Sequence, residues 1–327
     1  MKKIAILVFF TVGFFVHVWA CTGLIAGKQA TVDGSVLVTY SADSHTLYGA
    51  LTSSPAADWP KGSMRSIVEW DTNKPLGEIE QVEHTYAVIG NMNEHQLTVV
   101  ESTWGGRPEL VDTTGIIDYG SLMQLALERA KTAREAIKVM TGLVKKYGYY
   151  SSGESFTIAD PNEAWILDLI GKGPGRRGAV WVAVRIPDDC IAGHANYPRI
   201  HKIPMDDKEN CLYSPDVISF AREMGYFDGL NKDFSFARAY SPADFGALRA
   251  CDARVWSFFR KYDSTMDNYL PYVNGESAEP FPLYVKPSRK LSVQDMKEAM
   301  RDHFEDTPFD MTQDVGLSLI HISEPTR

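Results

Sequence analysis

Cys21 pairs a nucleophilic atom with a position that would supply its own base. Lys2 and Lys3 precede an apolar run from Ile4 to Val18, and Val18-Trp19-Ala20 has the small-x-small pattern of a cleavage site, together the parts of a secretory leader over residues 1–20. Cleavage after Ala20 would leave a thiol and a free α-amine on one residue. The amine's reference pKa is roughly 7.7–8.0 and the thiol's roughly 8.5. A nearly neutral amine then takes the thiol proton, directly or through one water, with no histidine. Two other readings stand beside this one. Cys21 could be no more than the first residue of a mature domain, or it could carry a lipid and an acylated amine. Trp19 argues against the lipid, because such signals take a small residue there.

Three further residues have types suited to act beside a thiol. Thr22–Lys28 and Ser35–Tyr40 form a hairpin pattern around an Asp33-Gly34 turn signal. With the turn centred near Val32, Cys21 lies opposite Asp43, whose carboxylate would bind the α-amine or hold the substrate; otherwise Asp43 is a solvated strand end. Asn196 follows an expected strand, in Gly193-His194-Ala195-Asn196; its amide could donate to an oxyanion or simply satisfy a turn. Arg254 borders a helical apolar face made by Leu248, Cys251, Val255, Phe258 and Phe259. A guanidinium there needs an acceptor, either in an active site or on an acid such as Asp244. The histidines make no metal pattern: there is no His-Glu-x-x-His, and His95, His194 and His201 are expected as hydrogen-bonded core or loop residues. No Gly-x-Ser-x-Gly occurs, and Lys172 in the glycine-rich 171–178 segment lacks a phosphate-loop ending.

The elements that must position these residues are mostly strands: His84–Gly90, Gln96–Ser102, Ser155–Ala159, Ala164–Ile170, Ala179–Ile186 and Ile191–Ala195. Helices are expected over Gly120–Lys131, from Thr132 to near Gly148 with a Thr132–Glu135 capping box, and over Ser214–Met224, Ser241–Tyr262 and Ser292–Glu305. Hairpin spacing rather than βαβ spacing predicts an α+β fold of stacked antiparallel sheets covered by helices. Apolar residues make up 44% and charged residues 23% of the 327, as in a globular domain. The net charge of -9 disfavours nucleic acid as a partner, and past the leader no apolar run reaches membrane-span length. If Cys21 is a nucleophile, Cys190, Cys211 and Cys251 remain. Cys251 is expected as a buried thiol, and Cys190 with Cys211 is a conceivable bridge.

Longer stretches carry a resemblance. CTGLIAGKQATVDGSVLVTYSADSH (21–45), GNMNEHQL (90–97), ESTWGGRPEL (101–110), DYGSLMQLALERAKTAREAIKVM (118–140), YYSSGESFTIADPNEAWILDLIGKGPG (149–175), GHANYPRI (193–200), NCLYSPDVISFA (210–221) and CDARVWSFF (251–259) resemble the secreted dipeptidase A-like cysteine peptidases of the N-terminal-nucleophile hydrolases. The resemblance implies a four-layer αββα sandwich, Cys21 as nucleophile with its amine as base, and small peptides as substrates, with no cofactor or metal. It also implies that Asp43 is the acid late in the opening hairpin, Asn196 an oxyanion donor and Arg254 a support to the nucleophile. Thr103 falls near a further oxyanion position that is asparagine in related enzymes, and Tyr40 stands where many relatives have arginine. The shared chemistry leaves an amide acylase of the bile-salt or penicillin type as an alternative activity. A lipid-anchored binding protein is the alternative without catalysis. The pattern through 306–316 resembles family sequence that continues further, so residues 21–316 are expected to be a partial peptidase domain. LSLIHISEPTR (317–327) resembles a translated sequencing adapter.

Overall fold

The computed structural model describes residues 21–43 and 49–313; the expected leader and the 317–327 segment lie outside them. The strands are β1 (Thr22–Ala26), β2 (Leu37–Ser41), β3 (Thr98–Gly105), β4 (Gly153–Ala159), β5 (Ala164–Gly171), β6 (Ala179–Ile186), β7 (Ile191–His194), β8 (Cys211–Tyr213) and β9 (Tyr284–Val285). Shorter pairs join them, including the hairpin Met64–Val68 with Pro75–Glu80. The α-helices of five residues or more are α1 (Tyr119–Arg129), α2 (Ala133–Tyr147), α3 (Val217–Glu223), α4 (Phe236–Tyr240), α5 (Ala253–Arg260) and α6 (Val293–Ala299).

Two antiparallel sheets stack. The smaller runs β9-β7-β1-β2; the larger runs β8-β6-β5-β4-β3 and continues through Met92–Asn93, Val88–Ile89 and Ser53–Ser54. Alternation along β1 assigns the layers. Leu24 and Ala26 pack with Val255, Phe258 and Phe259 of α5, while Ile25 packs between the sheets with Ile166, Val182 and Ala192. On the far side, Phe156, Ile158, Leu167 and Leu169 meet Leu122, Leu125, Ile137 and Met140 of α1 and α2. The result is helix, sheet, sheet, helix, as expected. Both faces of β5 are covered, so all eight of its residues are buried, and a strand apolar except for Asp168 replaces the half-polar alternation of a surface sheet. Each large side chain so buried contributes about 1.5–3 kcal/mol.

Local signals set several boundaries. Asp118 caps α1 by accepting from Ser121 N at 3.0 Å, and Thr132 caps α2. The expected capping box is displaced: Glu135 reaches back to Lys131 N at 2.8 Å rather than to the cap residue. The helix expected over Ser241–Tyr262 begins only at Phe245. α4 ends before Ser241-Pro242, because proline disfavours helical backbone in the residue ahead of it, and Ser241 is extended at φ -144°. The helix restarts where Asp244 Oδ1 accepts from Ala247 N at 2.7 Å. It then runs through a widened π-type turn over Ala247–Asp252 into α5. The expected 84–90 strand is two short pairs, His84–Thr85 and Val88–Ile89. The expected 96–102 strand begins at Thr98 and runs on to Gly105. Cys190 and Cys211 are separate buried thiols, not a bridge, and Cys251 is only partly buried.

Candidate active site

β1 starts one residue after Cys21, so the smaller sheet fixes where the thiol sits. The register is one residue tighter than expected: Thr22 opposes Ser41 and Gly23 opposes Tyr40, which carries Cys21 toward Ala42. The cause is the connection, which is not a tight turn at Asp33-Gly34. It is a broad loop whose Gln29 N and Ala30 N both bond Asp188 O. Asp43 remains adjacent all the same. Its backbone N–H faces the Cys21 sulfur, and its side chain is exposed.

Around Cys21 the structure gathers two of the expected residues into one network. Cys21 N donates to Asn196 Oδ1 at 2.7 Å. Arg254 donates through Nη1 to Cys21 O and Thr22 Oγ1, both at 2.7 Å. Through Nη2 it reaches Asn196 Oδ1 at 2.9 Å and Ala195 O at 3.3 Å, and through Nε it reaches Ala250 O at 2.8 Å. Five bonds match the five N–H groups of a guanidinium. Asp244, the other partner considered for Arg254, instead caps the helix restart. Two donors converging on Asn196 Oδ1 fix the amide orientation. Its Nδ2 then donates to Thr103 O at 2.5 Å, which commits one of two amide hydrogens.

Asn196 has φ 54°, a left-handed backbone that asparagine tolerates better than most residues. The segment behind it holds that geometry. Arg199 pairs with Asp252 at 3.1 Å with both side chains fully buried, and Ile200 N donates to Asp168 Oδ2 at 2.9 Å. Before Asn196, His194 pins the sheets together: its ring bonds Ser102 Oγ at 2.6 Å and Thr157 Oγ1 at 2.8 Å. Gly23 allows this, since a Cβ there would lie 2.9 Å from His194 Nε2. Burial lowers the His194 pKa to about 3, so the ring is neutral. His201 also bonds a hydroxyl, Ser235 Oγ at 3.1 Å, and His95 packs edge-on against Tyr86. All three histidines hold the structural places expected of them.

Thr103 enters the site differently from the expectation. Its carbonyl holds Asn196, while its hydroxyl bonds Glu154 Oε1 at 2.7 Å; a hydroxyl engaged with that buried carboxyl is not aimed at an oxyanion. Tyr40 donates to Glu101 Oε1 at 2.5 Å. Glu101 and Glu154 were not anticipated. Both are buried, at 3% and 0% exposure. Burial, with the Glu101 charge next in importance for Glu154, pushes both carboxyls above the usual range. The only available signal was a pair of acids inside strand patterns, Glu101 after Val99-Val100 and Glu154 before Ser155-Phe156. Burial, followed by the charge of Glu101, also pushes the Cys21 thiol up, so the sulfur is protonated at neutral pH and needs a base to react.

A cleft of about 340 Å³ opens on this side, lined by Asp71, Thr103, Tyr119, Tyr150, Ser151 and Glu154 among others. A larger hollow of about 960 Å³, bounded by 199–207 and 279–284, touches none of the Cys21 partners. Size therefore does not locate the chemistry here. Among the described residues, no group of three His, Cys, Asp or Glu is placed to hold a metal ion. No helix among them is long and apolar enough to cross a membrane.

The profile of peptidase family C69 matches residues 20–319. The chain belongs to peptidase family C69. Similar curated proteins include a probable dipeptidase of Salmonella dublin, 28% identical over 89% of this chain and 68% of its own length. A probable dipeptidase of Latilactobacillus sakei is 25% identical over 89% and 62%, and dipeptidase A of Lactobacillus helveticus is 25% identical over 90% and 64%. The chain thus spans about two thirds of the length of these relatives. The C69 match covers every residue of the network: Cys21, Tyr40, Asp43, Glu101, Thr103, Glu154, Asn196 and Arg254.

Proposed function

We propose that this C69 chain is an exported dipeptidase of the N-terminal-nucleophile type, with Cys21 as nucleophile after removal of residues 1–20. The observation that carries this reading is the convergence of Asn196 and Arg254 on the main chain of Cys21. Two segments distant in sequence from Cys21 and from each other bind its nitrogen and its carbonyl. While Ala20 is joined to Cys21, that nitrogen is an amide whose lone pair is delocalised. Cleavage makes it an amine, held at Asn196 Oδ1 beside its own thiol. The family match beginning at residue 20 supports the same boundary.

The amine takes the thiol proton and the sulfur attacks the substrate's peptide carbonyl. The second Nδ2 hydrogen of Asn196 stabilises the oxyanion, and the amine returns its proton to the departing amino group. Water then hydrolyses the thioester. Arg254 touches no reacting atom; it positions Asn196 and the Cys21 carbonyl. Asp43 supplies a backbone N–H to the sulfur and a carboxylate near the amine. Dipeptides are the proposed substrates, in line with the names of the relatives.

N-terminal sequencing of the exported protein, followed by dipeptide hydrolysis by wild type, Cys21→Ala and Cys21→Ser, tests this. A free Cys21 terminus and loss of turnover in Cys21→Ala are expected. A lipid-blocked terminus, or undiminished hydrolysis by both variants, would sink the proposal.

A further inference from the structure

An enzyme that cuts next to a substrate's first residue must hold that residue's α-ammonium close to its nucleophile. The ammonium nitrogen and the scissile carbonyl carbon are separated by one Cα, about 2.5 Å in space. A carboxylate that binds the ammonium must therefore adjoin the sulfur. Glu101 does: it lies two residues before Thr103 on β3, on the same face of the strand; the Thr103 carbonyl holds Asn196 beside Cys21, and the Glu101 charge acts on the thiol. Resting on the peptidase reading above, we propose that Glu101 and Glu154, with Asp71 behind them, form the subsite that receives the α-ammonium group of the substrate.

The chain leaves this group of acids short of positive charge. Tyr40 gives Glu101 a hydrogen bond, Thr103 gives one to Glu154, and Tyr119 gives one to Asp71 Oδ1 at 2.8 Å. All three donors are neutral. Among the described residues, the ion pairs include none to Glu101, Glu154 or Asp71. The second carboxyl oxygens, Glu101 Oε2 and Glu154 Oε2, are buried and receive no hydrogen bond from an N–H or hydroxyl donor of the chain; the two carboxyls face each other instead, a costly arrangement in a folded protein. Two facing carboxyls in that state must share a proton or take up a cation. Asp71 and Glu154 line the 340 Å³ cleft, so a ligand reaches them from solvent. An alkylammonium has three donors, matched by Glu101 Oε2, Glu154 Oε2 and Asp71. Neutral Tyr40 at the head of the group leaves that place to a charge from the substrate.

The test separates the ammonium from the chemistry. L-alanyl-L-alanine and propionyl-L-alanine, which differ by that amino group, are titrated calorimetrically into the Cys21→Ala chain, and both are offered as substrates to the wild type. The dipeptide is expected to bind roughly 10- to 100-fold tighter, as a charge-assisted contact implies. Glu154→Gln in the Cys21→Ala background should abolish that preference by weakening the dipeptide far more than propionyl-L-alanine. Asp71→Asn, at a less buried position, should reduce the preference without endangering the fold. Equal binding of the two ligands, binding of neither, or equal weakening of both by Glu154→Gln would overturn the subsite. The two proposals fail separately. Turnover that depends on Cys21 but ignores the amino group removes the subsite and keeps the peptidase. Binding that depends on the ammonium, with no turnover dependent on Cys21, does the reverse.

Discussion

Arg254→Lys keeps the charge at the centre of the network and removes its geometry. Arginine presents five N–H groups in a plane, and the structure uses all five, on Ala250 O, Cys21 O, Thr22 Oγ1, Ala195 O and Asn196 Oδ1. Lysine has three donors on one nitrogen, so at least two of these acceptors lose their partner. Charge-assisted bonds contribute about 1.5–3 kcal/mol each, which puts the expected loss of stability near 3 kcal/mol. The effect on catalysis works through Asn196. Its Oδ1 loses one of the two donors that hold the amide, and the Nδ2 face can rotate away from the oxyanion. Loss of one oxyanion donor costs about 10²–10³ in kcat, and a misaligned donor should cost toward the lower figure. The assay is kcat and KM on L-alanyl-L-alanine for wild type, Arg254→Lys and Arg254→Met, with thermal melts and iodoacetamide alkylation of Cys21 read by intact mass. The expected result is a fall in kcat of roughly a hundredfold in Arg254→Lys with KM little changed. Turnover within about twofold of wild type would refute the positioning role.

Acid should weaken the pin made by His194. Its folded pKa is lowered from 6.5 to about 3, so its contribution is fully present above pH 6.5 and is lost as pH falls toward 3. About 2 kcal/mol should go between pH 6.5 and 4.5. Asp168 acts with the opposite sign in the same range, because burial raises its pKa to about 6. The quantity to measure is therefore the stability difference between wild type and His194→Gln, which should narrow on acidification; a difference constant with pH would mean that His194 is not held neutral. Gly23→Ala places a methyl 2.9 Å from His194 Nε2 and should destabilise by about 1–3 kcal/mol, seen as a lower denaturation midpoint; an unchanged midpoint would show that the ring gives way freely. Asp43→Asn keeps the backbone N–H at the sulfur and removes a charge that acts on the Cys21 thiol. It should lower turnover and move the pH–rate profile without loss of folding, and wild-type turnover with an unmoved profile would reduce Asp43 to a strand end.

Much of this protein was open to inspection along the chain because the deciding physics is local. The Ala179–Ile186 strand has the bounds its apolar pattern gives, since β-branched runs between glycine and proline signals carry their own limits. The second long helix was marked along the chain by its cap at Thr132 and its apolar face at helical spacing, and the Asp118 cap of the first came from the structure. Cys21, Asn196 and Arg254 stood out because an amine-bearing thiol, an amide after a strand and a guanidinium beside an apolar face each carry a chemical demand in their own right. What they could not show was how those demands are met. Arg254 had two possible partners, and only the packing of α5 on β1 and β7 turned it to Cys21 and Asn196 rather than to Asp244.

The hairpin register shifted by one residue because a carbonyl at Asp188, far along the chain, shapes the 27–36 loop. The helix expected from Ser241 starts only at Phe245, because Pro242 disfavours helical backbone in the residue ahead of it. The carboxyl group at Glu101, Glu154 and Asp71 had no signature beyond two acids inside strand patterns, because its members come from two strands and a loop and are unusual only together. Apolar periodicity, caps and turn residues act over a few positions, and the sequence determines them directly. The sharing of a proton, an amide or a guanidinium among distant segments exists only after the two sheets have stacked, and that part the tertiary structure alone decided.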